Sequence, residues 1–139
     1  MCLAAIATLA VASHVNSITI GGIIANNGNS DLFISSNQGI EFTDYENPKS
    51  VVSYYSVIYD VNASTMLGTV NCESGFKHEG LYGDGGRAYG ISQFHRPTFE
   101  QFCPDLNYDK MQDQLQCMAR MFSDDQQSHW TCFTNLYGG

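Results

Sequence analysis

NCESGFKHEGLYGDGGRAYGISQFHRPTF, residues 71–99, places a single acid, Glu73, where an apolar helical pattern ends and a glycine-rich segment begins. Met66, Val70 and Glu73 are spaced at i, i+4 and i+7, so they share one face of a helix. Gly75 is a typical helix terminator, because glycine readily adopts a positive φ. The pattern predicts that Glu73 lies on the buried stripe of a helix, in its last turn.

The glycine-rich segment KHEGLYGDGGRAYGI, residues 77–91, contains short alternating pieces that predict a small hairpin or an irregular loop. The pattern on either side of it is helical. Asn62 can cap the helix that carries Glu73, and Pro97 can open a short helix at its first turn. Two further helices are indicated by apolar residues at helical spacing, namely Val51, Val52, Tyr55, Ile58 and Tyr59, then Met111, Leu115, Met118 and Phe122. We therefore expect a mostly helical α+β fold with a small glycine-rich hairpin or loop region.

Composition limits the kinds of partner. The chain has 139 residues, six Lys and Arg, fourteen Asp and Glu, and a formal net charge of −8. Its basic residues are scattered singly, so binding to a phosphate backbone would lack its main driving force. These features argue against nucleic acid as a partner.

The chain divides into three parts by composition. Residues 1–17, MCLAAIATLAVASHVNS, form a short apolar run that we interpret as a signal peptide, although no Lys or Arg precedes the run. The alternative is a buried apolar N-terminal segment. Residues 18–48 are rich in Asn, Ser and Gly, and we interpret them as a linker. Residues 49–139 are expected to form a single domain.

Cysteine usage supports export. Removal of a signal peptide with Cys2 would leave an even set of four: Cys72, Cys103, Cys117 and Cys132. Four cysteines permit three disulfide pairings, which sequence alone does not separate. None of the four forms a CxxC pair, and the histidines do not fall at ligand spacings, so disulfides are favoured over a metal site.

The position of Glu73 suggests a chemical role. A carboxyl group on an apolar helix face near the negative end of the helix dipole loses solvation, which raises its pKa. Such a group can act as a general acid, and a glycine-rich segment lets backbone groups approach a bulky ligand. An acid beside an open groove is typical of glycoside chemistry. The alternative is that Glu73 is a helix cap or a surface residue.

Several short blocks carry a family resemblance. They are CESGF at 72–76, YGISQF at 89–94, PTF at 97–99, DQLQCMARM at 113–121 and HWTC at 129–132. In this order they resemble the lysozyme-like superfamily, particularly soluble lytic transglycosylases and the catalytic domain of resuscitation-promoting factors, over roughly residues 50–134. The resemblance implies a compact lysozyme-like fold and cleavage of the bond between N-acetylmuramic acid and N-acetylglucosamine in peptidoglycan. It also implies an extracytoplasmic protein, which we expect to be a monomer without cofactor or metal.

The resemblance assigns roles to particular residues. Glu73 matches the single catalytic acid, which would protonate the glycosidic oxygen and then, as a base, help to close a 1,6-anhydro ring. The matching substrate-binding positions are Ser74, Tyr89, Gly90, Gln93 and Thr98. Tyr89 would stack on a sugar ring, with core packing as its alternative. The family's disulfide beside the glutamate would pair Cys72 with Cys132, and Cys103 and Cys117 would then bridge two helices.

One block of lytic transglycosylases, AYNxG, is absent, which leaves the choice between transglycosylase and hydrolase open. A hydrolytic lysozyme would need a second acid, for which Asp84 in the glycine loop is the candidate. An Asp before Gly-Gly is more often a turn residue, and this interpretation is favoured. A non-catalytic peptidoglycan-binding or signalling module on the same scaffold is the remaining alternative.

Overall fold

Helices and one small sheet make up residues 44–138, the part of the chain that the computed structural model describes. The five α-helices in this range are α1 Pro48–Ile58, α2 Ala63–Ser74, α3 Arg96–Phe102, α4 Met111–Ser123 and α5 Thr131–Tyr137. The prediction of a mostly helical α+β fold is confirmed. Residues 1–17, interpreted as a signal peptide, lie outside the described residues. The same is true of the predicted linker up to residue 43.

The ends of α2 follow from local sequence chemistry. The side chain of Asn62 accepts a hydrogen bond from the backbone N–H of Thr65, at 2.9 Å, and so caps the first turn. Gly75 ends the helix in the left-handed conformation, with a φ of 59°, and its N–H donates to the carbonyl of Asn71. Both residues have the roles that the sequence predicted. As a result, Glu73 is in the last turn of α2.

The core lies between α1, α2 and α4. Its fully buried side chains come from all three helices and include Val51, Val52, Met66, Val70, Leu115 and Met118. Helix α1 packs against α2 and α4, and α2 also packs against α5. Helix α5 thus covers one side of the helix that carries Glu73.

The glycine-rich segment, residues 77–91, forms a small hairpin of two strands, as predicted, and a third strand directly after it completes a three-stranded antiparallel sheet. Its strands are β1 Tyr82–Gly83, β2 Ala88–Tyr89 and β3 Phe94–His95, in the spatial order β1-β2-β3. A short 3₁₀ turn, Asp84–Gly86, connects β1 to β2. Phe94 is buried, and its ring packs edge-on against that of Trp130, with the ring centroids 5.3 Å apart. This contact fixes the third strand against the segment that leads into α5.

Two disulfide bonds join distant parts of the domain. Cys72 pairs with Cys132 and Cys103 pairs with Cys117, the pairing that the family resemblance implies. Disulfides of this kind are typical of proteins outside the cytoplasm. Within residues 44–138, none of the helices has the length and apolar character needed to cross a membrane.

Candidate functional site

Glu73 is half-buried at the contact between α2 and α5. Its Oε1 accepts a hydrogen bond from the backbone N–H of Cys132, at 3.2 Å. Burial raises the pKa of Glu73 above its usual value, and the hydrogen bond from Cys132 acts in the opposite direction. Met66 and Val70, on the same face of α2, are fully buried, whereas Glu73 is partly exposed. The prediction that Glu73 belongs to the buried stripe therefore holds only in part. The stripe leaves the core at the last turn, where the carboxyl group remains accessible to a ligand.

The disulfide beside Glu73 restrains the same contact. Cys72 precedes the acid in sequence, and its partner, Cys132, supplies the N–H that binds the carboxyl group. A covalent bond and a hydrogen bond therefore join the last turn of α2 to the first turn of α5. Such support limits the positions that the carboxyl group can occupy, as a catalytic group requires.

The turn between β2 and β3, residues 90–93, carries two of the predicted binding residues. Gly90 has a φ of 77°, and a Cβ at this position would lie 2.7 Å from the side-chain amide of Gln114 and from Nδ1 of His78. Only glycine fits this position without displacing its neighbours. Gln93 also has a positive φ, 49°, and its Nε2 donates to the carbonyl oxygen of Gly90 at 2.7 Å. The side chain of Gln93 is thus folded back onto its own turn.

A buried glutamine that the sequence analysis missed holds this turn in place. Gln114 is fully buried in α4, and its Oε1 accepts a hydrogen bond from the N–H of Ser92 at 3.2 Å. Its Nε2 donates to the carbonyl oxygens of Tyr89, at 3.2 Å, and Tyr108, at 2.9 Å. A signal was present in the sequence, because Gln114 follows Met111 by three residues and so interrupts the apolar face of α4.

Trp130 links the turn to the segment that holds Glu73. This tryptophan is buried, and its indole Nε1 donates to the carbonyl oxygen of Ser92 at 2.8 Å. It immediately precedes α5, two residues before Cys132, whose N–H binds Glu73. The acid and the turn that carries Gln93 are therefore attached to the same three-residue segment.

Tyr89 and Gln93 lie on opposite faces of the sheet. Oε1 of Gln93 occupies the space that a Cβ on Gly83 would need, next to the side chain of Ala88, which pairs with Gly83. Adjacent residues of a strand point to opposite faces, so the side chain of Tyr89 is directed away from Gln93. Its ring packs instead against that of Tyr82, with the centroids 5.1 Å apart. The structure does not bring Tyr89 together with Gln93, and sugar stacking by Tyr89 stays a prediction.

The two remaining binding candidates, Ser74 and Thr98, lie on different helices. The hydroxyl of Ser74 donates to the carbonyl oxygen of Val70 at 3.0 Å and is therefore engaged within α2. Thr98 is partly exposed in the first turn of α3, two residues after that helix begins. Substrate contacts by either residue stay predictions.

Asp84 is held within the hairpin. Its Oδ1 lies 2.8 Å from Nη2 of Arg87, and its Oδ2 lies 2.9 Å from Nε2 of His95. The hydrogen bond from Arg87 is the main reason that the pKa of Asp84 is below its usual value. Both carboxylate oxygens are thus engaged at the 3₁₀ turn, in agreement with the interpretation of Asp84 as a turn residue.

Within residues 44–138, no three His, Cys, Asp or Glu side chains lie together in a way that could hold a metal ion. Among the surface cavities of residues 44–138 are two of about 310 and 400 Å³, and Glu73 lines neither of these two. Comparison of the chain with protein-family models, with curated proteins and with solved structures finds no match in any of the three.

Proposed function

We propose that this chain is a peptidoglycan-cleaving glycosidase, a lytic transglycosylase that acts on the bond between N-acetylmuramic acid and N-acetylglucosamine. The observation that carries the proposal is the half-buried Glu73, held by the N–H of Cys132 beside a disulfide. Burial raises the pKa of its carboxyl group, which favours the protonated form that a general acid needs. The family resemblance of the surrounding blocks supplies the substrate class.

The reaction needs Glu73 in both protonation states. The carboxylic acid donates its proton to the glycosidic oxygen as the bond from that oxygen to C1 of the muramic acid breaks. The resulting carboxylate then takes the proton of the C6 hydroxyl, whose oxygen bonds to C1 and closes the 1,6-anhydro ring. Glu73 is protonated again at the end, and no water is consumed. The hydrogen bond from Cys132 favours the carboxylate that forms midway, while burial favours the acid at the start.

The contacts of Asp84 favour a mechanism that uses one carboxyl group, that of Glu73. A hydrolytic lysozyme uses two carboxyl groups on either side of the scissile bond. Both oxygens of Asp84 are engaged by Arg87 and His95 within the hairpin. These contacts give Asp84 a structural role in the 3₁₀ turn, which favours the mechanism that uses Glu73 alone.

The proposed location is outside the cytoplasm, where peptidoglycan is found. The disulfides Cys72–Cys132 and Cys103–Cys117 support it, because such bonds persist in oxidising compartments. We propose peptidoglycan glycan strands as the partner of a monomeric enzyme that uses neither cofactor nor metal.

Mass spectrometry of the soluble products from purified peptidoglycan tests the proposal. The oxidised full-length chain is compared with Glu73→Gln and with the control Glu79→Gln, which changes an exposed acid a few residues further on. We expect anhydro-muropeptides from the wild type and the control, and none from Glu73→Gln. Muropeptides with reducing ends would instead indicate a hydrolase. Binding to sacculi without release of products would indicate a non-catalytic module.

A further inference from the structure

His78 joins the turn at residues 90–93 to the segment that leads into α4. The N–H of Ile91 donates to Nδ1 of His78 at 3.1 Å, and Nε2 of His78 lies 3.1 Å from the carbonyl oxygen of Asp109. We propose that His78 is a positioning residue, which holds the turn that carries Gln93 in place for substrate only while its imidazole is neutral and protonated at Nε2. The inference deepens the proposed function and rests on it for the identity of the substrate.

The two contacts define the tautomer of His78. A carbonyl oxygen only accepts hydrogen bonds, so Nε2 must carry the proton that it donates to Asp109. A backbone N–H only donates, so Nδ1 must present a lone pair to Ile91. The imidazolium ion has a proton on both nitrogens and therefore no acceptor. Protonation of His78 thus breaks the hydrogen bond from Ile91 and places two N–H groups against each other.

A second side chain supports the same turn in the same way. Gln114 accepts a hydrogen bond from the N–H of Ser92, the residue after Ile91, and donates to the carbonyl oxygen of Tyr108, the residue before Asp109. The two side chains therefore connect consecutive N–H groups of the turn to consecutive carbonyl groups of the other segment. An amide does not change its protonation near neutral pH, whereas an imidazole does. Of these two supports, only the one from the histidine responds to pH.

Close packing links this support to the candidate binding residue. A Cβ on Gly90 would lie 2.7 Å from Nδ1 of His78 and from the side-chain amide of Gln114, so both supports lie directly against the backbone of Gly90. Gln93 donates from its Nε2 to the carbonyl oxygen of Gly90 at 2.7 Å. Release of Ile91, the next residue, would therefore loosen the backbone on which the side chain of Gln93 rests.

The other titratable and charged residues around His78 come from its own segment, from β2, from α3 and from the segment before α4: Lys77, Glu79, Tyr89, Arg96, Tyr108 and Asp109. The ring of Tyr89 lies against the imidazole, with the centroids 5.3 Å apart. Burial raises the pKa of Tyr89 and that of Tyr108, so both stay neutral below about pH 8. The carboxylate of Asp109 is paired with Arg96, at 3.1 Å. Histidine is the side chain that ordinarily changes charge between about pH 5 and 8, so a change of the turn in that range is assigned to His78.

Nuclear magnetic resonance of the oxidised full-length chain tests the tautomer and its effect on the turn. At about pH 8, the imidazole nitrogen signals of His78 should show a proton on Nε2 and none on Nδ1. As the pH is lowered through the titration of these signals, the protection of the Ile91 N–H against exchange should fall about tenfold, because its acceptor is lost. The N–H of Ser92 is the internal control and should lose less protection, because its acceptor on Gln114 does not titrate. A proton on Nδ1 at the higher pH, or equal protection of Ile91 before and after the titration, would overturn the inference.

Peptidoglycan sacculi test the effect on substrate. In His78→Ala, the half-saturating concentration of sacculi should rise about tenfold, because the turn loses one support, while the maximal rate stays within about twofold, because Glu73 is unchanged. His129→Ala, which removes an exposed histidine, should alter neither quantity. His78→Gln retains an acceptor and a donor, and neither titrates. Lowering the pH should therefore weaken binding of sacculi to the wild type more than binding to His78→Gln.

The inference and the proposed function fail separately. A wild type that releases no muropeptides at any pH would remove the proposed function, whereas the tautomer, the protection of Ile91 and the binding of sacculi are all measured without turnover. Release of anhydro-muropeptides with the same half-saturating concentration in His78→Ala and His129→Ala would retain the proposed function and overturn the role of His78. Equal losses of sacculus binding by the wild type and by His78→Gln at low pH would overturn that role as well.

Discussion

Replacing Gln114 by methionine tests whether this buried amide holds the turn that carries Gln93. Gln114 makes three hydrogen bonds to backbone groups: two buried ones, to Ser92 at 3.2 Å and Tyr108 at 2.9 Å, and a partly buried one to Tyr89 at 3.2 Å. Methionine has a similar size but leaves all three groups unpaired, and each costs about 1–3 kcal/mol. Carbonyl oxygens tolerate the loss better than N–H groups do, so we expect a total of about 3–5 kcal/mol. That is a large share of the ~5–15 kcal/mol that stabilises a typical domain.

Gln112→Met is the matched control on the same helix. Gln112 is partly exposed, and its Nε2 makes one hydrogen bond, to the carbonyl oxygen of Tyr45 at 3.0 Å. Water can replace that bond, so the control should lower the free energy of unfolding by about 0.5 kcal/mol or less. Urea unfolding of both oxidised variants, followed by circular dichroism, measures the difference.

Amide hydrogen exchange gives a second, local measurement. The N–H of Ser92 donates to Gln114, so its exchange should accelerate in Gln114→Met more than the exchange of core amides in α4. Unfolding free energies of Gln114→Met and Gln112→Met within about 1 kcal/mol of each other would refute this account of the turn. Unchanged protection of Ser92 would refute it as well.

Three further predictions concern the acid, a glycine and a disulfide. Gly90→Ala should destabilise the fold about 1–3 kcal/mol more than Gly85→Ala in urea unfolding, because both glycines have a positive φ but a Cβ meets neighbours only at Gly90; equal effects would contradict the steric argument. Burial raises the pKa of Glu73, so the folded state loses stability as pH rises from the unfolded pKa through the folded one. Glu73→Gln should therefore melt higher than the wild type near pH 7 and equally near pH 3, and an equal gap at both would refute this. Replacing Cys72 and Cys132 by alanine opens a loop with a sequence separation of 60 and should cost about 4 kcal/mol in chemical unfolding, with no loss as the contrary result.

The sequence was most informative where structure depends on local chemistry. Asn62 caps the start of α2 with its side chain, as predicted. Gly75 ends the helix in the left-handed conformation that a residue without a side chain adopts readily. Helix spacing also placed Glu73 correctly in the last turn. How deeply Glu73 is buried depends on α5, a helix about sixty residues away in sequence. Local patterns contain no information about that distant contact.

The sheet shows the same limit more clearly. Strand β3 has only two residues, Phe94 and His95, which is too short for an alternating pattern to be recognised. The separation of Tyr89 from Gln93 depends on the pairing of Gly83 with Ala88, a register that the glycine-rich sequence does not specify. Two residues that match one family block therefore lie on opposite faces of the sheet.

The segment from Trp130 to Cys132 explains why the acid and the turn can act as a unit. Its first residue binds the carbonyl oxygen of Ser92, and its last binds the carboxyl group of Glu73 and forms the disulfide to Cys72. Both groups are therefore bonded to one short segment of the chain. A catalytic acid and a substrate-binding turn need a fixed separation more than a fixed position in the domain. Strands of only two residues each give the turn little support from within the sheet. The bonds to the segment from Trp130 to Cys132 supply support that the proposed glycosidase would need.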